Sequence, residues 1–184
     1  MNEKTRRLSR EAWLERSLEI LDSEGQSRLT IDYLTKQLHV TKGSFYWHFK
    51  NRASYIECLA EYWADEYTLR LARPLPEEIS DASDRLLALM TRLTETDYAR
   101  YDAAVLNWSQ HEPGARQSIQ KVLDFRMHFI RTLFSELGFT GNALEMRVQT
   151  VLTFHTMELN GYNHLSKEER LRHVKLRHEM LTHK

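Results

Sequence analysis

The chain has 184 residues, with 26 Lys/Arg against 26 Asp/Glu, a formal net charge of zero, and a single cysteine, Cys58. A chain of that length buries about 70% of its unfolded surface, so it needs no covalent staples. One cysteine excludes an intramolecular disulfide framework and a multi-cysteine zinc site, and it suits a reducing cytoplasm. The opening MNEKTRRLSREAW is charged, without the apolar stretch of a secretory signal. No segment approaches the roughly 20 apolar residues that would span a bilayer. Six glycines and three prolines over the whole chain, without β-branched runs, leave long helical periodicities and no need for a strand.

In chain order, Ser9 reads as the N-cap of a first helix ending near Gly25, with Leu14, Leu18 and Leu21 on one face and Trp13 and Ile20 flanking them. Thr30 caps a short second helix that carries Ile31, Leu34 and Leu38. After a brief link at His39-Val40, Thr41 caps a third short helix, with Phe45 and Phe49 at i, i+4. A longer fourth helix runs from about Arg52 to Arg73 along Ile56, Leu59, Trp63, Tyr67 and Leu71, and Pro74 and Pro76 stop it. Five more follow: Ser80–Glu95; Tyr98–Gln110; a helix opened by Pro113 at its first position and ended by Gly138; Asn142–His164; and a last one capped by Ser166, with Glu169 completing a capping box. The fold class is all-α, with about nine helices. The domain division falls into residues 1–51 and 52–184, with 52–73 as a connecting helix.

Charge is not spread evenly. Residues 1–52 hold ten Lys/Arg and seven Asp/Glu, a net of +3, and the remainder carries −3. The difference is modest and gains meaning only from the motif it accompanies. Two short helices joined by a tight turn can brace one helix in a DNA major groove, provided the inner positions are apolar and the outer face offers donors. Ile31, Leu34, Leu38, Val40, Phe45 and Phe49 supply the inner face. Thr41, Lys42, Ser44, Tyr46, Trp47, His48 and Lys50 remain for the outer one. A plain three-helix bundle has little reason to expose Tyr46, Trp47 and His48 together beside two lysines.

The run VTKGSFYWHFKNR resembles the helix-turn-helix of TetR-type bacterial regulators, read as T-x-x-x-I/L-A-x-x-x-G-V-S/T-x-G-x-L/F-Y-x-H-F-x-x-K/R. Thr30, Leu34, Val40, Thr41, Gly43, Phe45, Tyr46, His48, Phe49 and Arg52 are in register. The motif likeness covers about residues 8–56, and the likeness in layout covers the chain. Leu38-His39 stands where the family often has Ala-Gly, so His39 is expected to need a left-handed backbone. Thr35 replaces a smaller residue.

The resemblance implies roles. Thr41 would cap the recognition helix and touch phosphate; Lys42, Ser44 and Trp47 would face the bases; Gly43 would allow close approach to DNA. Tyr46 and His48 would meet the sugar-phosphate backbone, Lys50 a phosphate, and Thr30 a phosphate at the bracing helix. Lys4, Arg6 and Arg7 read equally as a DNA-touching arm or a solvated terminus. The family also implies an all-helical body that forms a homodimer through the two C-terminal helices and holds a small-molecule effector. Two recognition helices would then sit ~34 Å apart on a near-palindromic double-stranded DNA site.

Candidate pocket liners are Trp63, Tyr67, Tyr98, Tyr101, Trp108, Phe125, Phe129, Phe154 and His155, although aromatics at helical spacing are more often core. Arg126, on an apolar face, is expected to pair with Asp102 or Glu158 as a structural bridge. His155 and Glu158, at i, i+3, make a hydrogen-bonded core pair a better reading than a metal site. Phosphate loops, nucleophile elbows and zinc-protease motifs are all missing, so the expectation is no enzyme, no cofactor and no metal. The leading expectation is a cytoplasmic repressor released by an effector and not associated with membrane. Two alternatives stand beside it: a similar DNA-binding protein whose body binds a protein partner, and a helical enzyme or carrier.

Overall fold

The computed structural model describes residues 8–69, 81–96, 99–161 and 165–183, with backbone only at 69 and 156–161. Among these residues there are nine α-helices and no strand. No helix of this set is long and apolar enough to cross a membrane. The arm residues Lys4, Arg6 and Arg7, the predicted helix end over 70–73 with Pro74 and Pro76, Tyr98, and the side chain of Glu158 lie outside the described residues.

The chain forms two compact units. The first comprises residues up to Ala64 together with Ala104–Ile119; the second comprises Asp65–Ala103 together with Gln120–Lys184. In the first, α1 (Arg10–Glu24), α2 (Ile31–Gln37), α3 (Lys42–His48) and α4 (Arg52–Ala64) follow in order, with a single 3-10 turn at Gln26–Arg28. Their starts are chemical. The hydroxyls of Ser9, Thr30 and Thr41 accept hydrogen bonds from the backbone amides of Ala12, Tyr33 and Ser44. Each satisfies a donor that the first turn would otherwise leave open.

Seven residues are too few for α2 or α3 to stand alone in water, so packing sets their placement. Phe45 of α3 and Phe49, its C-cap, are 0% and 1% exposed. They sit in an aromatic cluster with Trp13 of α1 and Tyr55 of α4. Trp13 meets Phe45 edge-on at 5.6 Å, and Tyr55 meets Phe45 and Phe49 at 5.4 and 5.2 Å. Such edge-to-face pairs add about 0.5–1.5 kcal/mol each beyond burial. Burial also raises the pKa of the Tyr55 hydroxyl. From the second stretch of this unit, Val105, Trp108, Ala115 and Ile119 are buried. A Cβ on Gly114 would meet Ile56 Cγ2 at 3.3 Å, so this glycine permits a close approach. Arg52 donates to Glu112 at 2.6 Å beside it.

The second unit begins with a π-helical turn at Asp65–Leu69 and contains α5 (Ala82–Glu95), α8 (Gly141–Gly161) and α9 (Lys167–Thr182). Helices α6 (Asp102–His111) and α7 (Pro113–Glu136) contribute to both units. The core of the second unit gathers Leu86, Met90, Leu133, Phe134, Val148, Val151, Val174 and Leu181. The capping box at Ser166 and Glu169 forms in full, and it draws the Glu169 carboxyl below its ordinary pKa. At the other end of α9, Arg147 of α8 donates to the carbonyls of Leu181 and His183 at 2.8 and 3.2 Å, closing acceptors the helix cannot satisfy itself.

Two expected elements differ in extent. The periodicity from Arg52 passes out of α-helical geometry after Ala64 into the π-turn. That turn is fastened from α7: Arg126 donates to Thr68 Oγ1 at 2.6 Å, to the Tyr67 carbonyl at 3.2 Å and to Asp102 at 2.5 Å. The expected Arg126–Asp102 bridge is therefore present, and its acid is 4% exposed. The helix expected from Tyr98 instead starts at Asp102, after a turn in which the Asp102 amide bonds the Ala99 carbonyl.

Candidate nucleic-acid interface

The α2–α3 turn is a complete Schellman motif. The His39 amide donates to the Lys36 carbonyl at 3.3 Å and the Val40 amide to the Thr35 carbonyl at 3.0 Å, which closes the last acceptors of α2. His39 takes the left-handed position, with φ 53°, as the sequence predicts. α7 ends with the same pair of bonds, there around Gly138 at φ 87°. The turn thus keeps its geometry with a side chain where glycine is the commoner solution. Thr35, the other departure, is buried and donates to the Asp32 carbonyl. α2 is further tied to α1 by the Tyr33 hydroxyl on Glu24, and Arg28 lies 4.9 Å over the Tyr33 ring.

With Phe45 and Phe49 turned inward, the rest of α3 faces out. Tyr46 is 56% and Trp47 72% exposed. Thr30, Thr41, Lys42, Gly43 and Lys50 are exposed, and Ser44 and His48 are half-buried. Nine predicted positions therefore flank or occupy one short helix and the start of its brace. Sequence reasoning did not single out Asp32, whose carboxylate forms an ion pair with the Lys42 ammonium across the turn. The hydrogen bond that the ammonium donates to that carboxylate, then the carboxylate's charge, raises the Lys42 pKa. Asp32 and Lys42 are ten residues apart, outside any helical i, i+4 rule, so no local pattern marks them.

Gly43 carries a different signal. A Cβ added there would meet only Thr41 Oγ1, at an ordinary 3.5 Å. Glycine costs a helix about 1 kcal/mol relative to alanine, and no neighbour in the protein demands it.

The expected pocket liners are divided between the units. Trp63 and Trp108 belong to the first and are 0% and 2% exposed. In the second, Tyr67 and Tyr101 meet edge-on at 5.1 Å, Phe129 packs on the core, and Phe125 is 40% exposed. His155 is buried. Desolvation, and secondarily the charge of Arg177, lowers its pKa to about 3, so it is neutral at physiological pH. Arg177 lies 3.4 Å over the ring of Phe154, the remaining aromatic of this set.

Two short helices joined by a tight turn and braced on a third, with the second helix facing out, make this head a helix-turn-helix. Residues 14–56 match the family model described as bacterial regulatory proteins, tetR family. The chain is 40% identical over 55 residues to the class C tetracycline repressor protein of Escherichia coli, a match covering 30% of this chain and 25% of that protein. It is 34% identical over 97 residues to the transcriptional regulator AcuR of Cereibacter sphaeroides, covering 51% and 42%. The matches thus span less than half the length of either relative. The fold matches the ketosteroid transcriptional regulator KstR2 of Mycobacterium tuberculosis with a TM-score of 0.76 at 12% identity, over 95% of each chain. The helix-turn-helix over residues 14–56 thus matches the tetR-family model, and the fold of the whole chain is similar to that of KstR2.

Proposed function

We propose that this protein is a homodimeric, sequence-specific DNA-binding regulator of transcription, a cytoplasmic repressor released by a small-molecule effector. The observation that carries the DNA-reading part is the outer face of α3, where Tyr46 and Trp47 stay exposed between Lys42 and Lys50. Aromatic rings and ammonium groups together suit a surface that presents phosphates, thymine methyls and base-edge acceptors. Gly43, for which the protein gives no packing reason, fits a backbone that must come close to DNA. Thr30, Thr41, Tyr46, His48 and Lys50 are assigned to the sugar-phosphate backbone, and Lys42, Ser44 and Trp47 to base edges.

Dimerisation is assigned to α8 and α9. Met146, Leu176 and Met180 are 52%, 62% and 65% exposed, and Leu176 and Met180 share one helical face at i, i+4. A second copy would cover them and set two recognition helices about one DNA turn apart. The effector part rests on the aromatic and polar side chains of the body, with Tyr67, Tyr101 and the Arg126–Asp102 bridge gathered at the π-turn, a local geometry frequent at functional sites. Repression is the direction carried by the name of the class C tetracycline repressor.

The test is a gel-shift series with the full chain against a duplex selected by the protein from a randomised pool, with the DNA upstream of its own gene alongside. The expected result is a preferred near-palindrome bound by a dimer. Lys50→Ala weakens binding to every duplex alike and flattens the salt dependence by about one unit. A folded dimer that binds selected and random duplexes equally would sink the proposal.

A further inference from the structure

The Lys42 ammonium is held by a carboxylate on the bracing helix, and that ion pair lies on the face assigned to DNA. Both side chains are well exposed, 62% for Lys42 and 74% for Asp32, so the pair adds little to folding. Asp32 has a bland role as well, since an acid in the first turn of α2 suits the positive end of a helix. That role needs no lysine. The ion pair restricts the long, four-carbon stem of Lys42, the kind of side chain with most rotamer freedom to lose on binding.

Resting on the DNA-reading proposal above, we infer that Asp32 is a positioning residue for sequence discrimination: it clamps Lys42 for a guanine edge and holds it off the phosphates. Donor counting supports the clamp. An ammonium carries three N–H donors; one goes to Asp32, and two remain for the O6 and N7 acceptors that guanine presents in the major groove. Entering the groove strips water from the pair and strengthens its attraction, because the effective dielectric falls. The same carboxylate faces a polyanion. On random DNA it offsets one of the charges that would otherwise neutralise a phosphate. Asp32 therefore lowers affinity for the wrong sites while ordering the contact made at the right one, the two routes by which specificity arises.

The experiment uses the full chain, a duplex selected from a randomised pool by the wild-type protein, and a random duplex of equal length, in competition at fixed salt. Asp32→Asn, Asp32→Glu, Lys42→Ala and the double variant Asp32→Asn/Lys42→Ala are compared, with thermal melting as the check on folding. Asp32→Asn is expected to melt like the wild type and to bind the random duplex severalfold tighter. Its preference for the selected duplex should fall about tenfold or more, a loss concentrated at one G·C pair in each half-site, as expected for one lost base contact. Asp32→Glu restores part of the preference. In the Lys42→Ala background, Asp32→Asn changes the preference no further, because Asp32 acts through Lys42. An unchanged preference in Asp32→Asn overturns the inference and leaves the DNA-reading proposal standing. So does an equal gain on both duplexes, which would make Asp32 a competitor for Lys42 only. So does a further loss of preference when Asp32→Asn is added to Lys42→Ala, as large as the loss it causes in the wild type. A wild-type protein that selects no sequence overturns the DNA-reading proposal, and this inference with it.

Discussion

Among the described residues, α3 and α9 each expose a pair of large apolar side chains, and they do so in different company. On α3, Tyr46 and Trp47 stand between Lys42 and Lys50, above a buried aromatic floor. On α9, Leu176 and Met180 stand among side chains of both signs, with Lys175, Arg172 and Glu179 nearby in sequence, and Met146 adds to the exposed apolar surface on α8. Equal exposure thus points to unequal partners. Aromatic edges interleaved with ammonium groups match a polyanion that also has flat, stacked bases. Flexible aliphatic and thioether side chains match another helix, where burial alone supplies the attraction.

The comparison can be broken most severely from beneath. Phe45→Ala empties the floor under α3 and should cost about 3–5 kcal/mol in a denaturant titration, as removal of a fully buried phenylalanine does. Affinity for DNA should vanish with it, while the second unit keeps its own core. If Phe45→Ala leaves both stability and affinity intact, the aromatic cluster is not what holds α3. Next in size is Leu176→Glu combined with Met180→Glu. Sedimentation should show a monomer, and affinity for a two-half-site duplex should fall about 100-fold through lost avidity, with melting little changed. A dimer that survives would move the interface away from α9. The smallest change separates the two partners most cleanly. Gly43→Ala should raise stability by about 0.5–1 kcal/mol, since alanine is the better helix former, and yet lower DNA affinity. A rise in both would remove the argument that this glycine is there for DNA.

Local chemistry made much of the fold readable in the sequence. Ser9, Thr30, Thr41 and Ser166 cap helices because a hydroxyl at that position accepts an amide of the first turn, and all four do so here. Pro113 opens α7 and Gly25 closes α1 for equally local reasons. His39 was readable as left-handed from a motif position alone. Features set by distant partners were not. The π-turn after Ala64 is held by a guanidinium 58 residues beyond Thr68, and the Asp32–Lys42 pair crosses a turn. Arg126–Asp102 was legible only as one of two choices, because an arginine on an apolar face demands an acid without saying which. The aromatic residues of the body were visible as apolar periodicity, which does not separate those that fill a core, such as Trp63, from those that remain open, such as Phe125.

The first unit closes only when the chain returns to it at Ala104–Ile119. A reading head built this way is not a cassette. Cutting the gene after Ala64 would deliver four helices without Val105, Trp108, Ala115 and Ile119, which are buried in the intact protein. Grafting this head onto a foreign body would require the recipient to carry a matching stretch of its own sixth and seventh helices. Whoever builds hybrids from this chain should therefore exchange side chains on α3 rather than exchange heads. Natural drift meets the same constraint, since a new DNA preference reached by a few surface substitutions leaves the shared packing untouched.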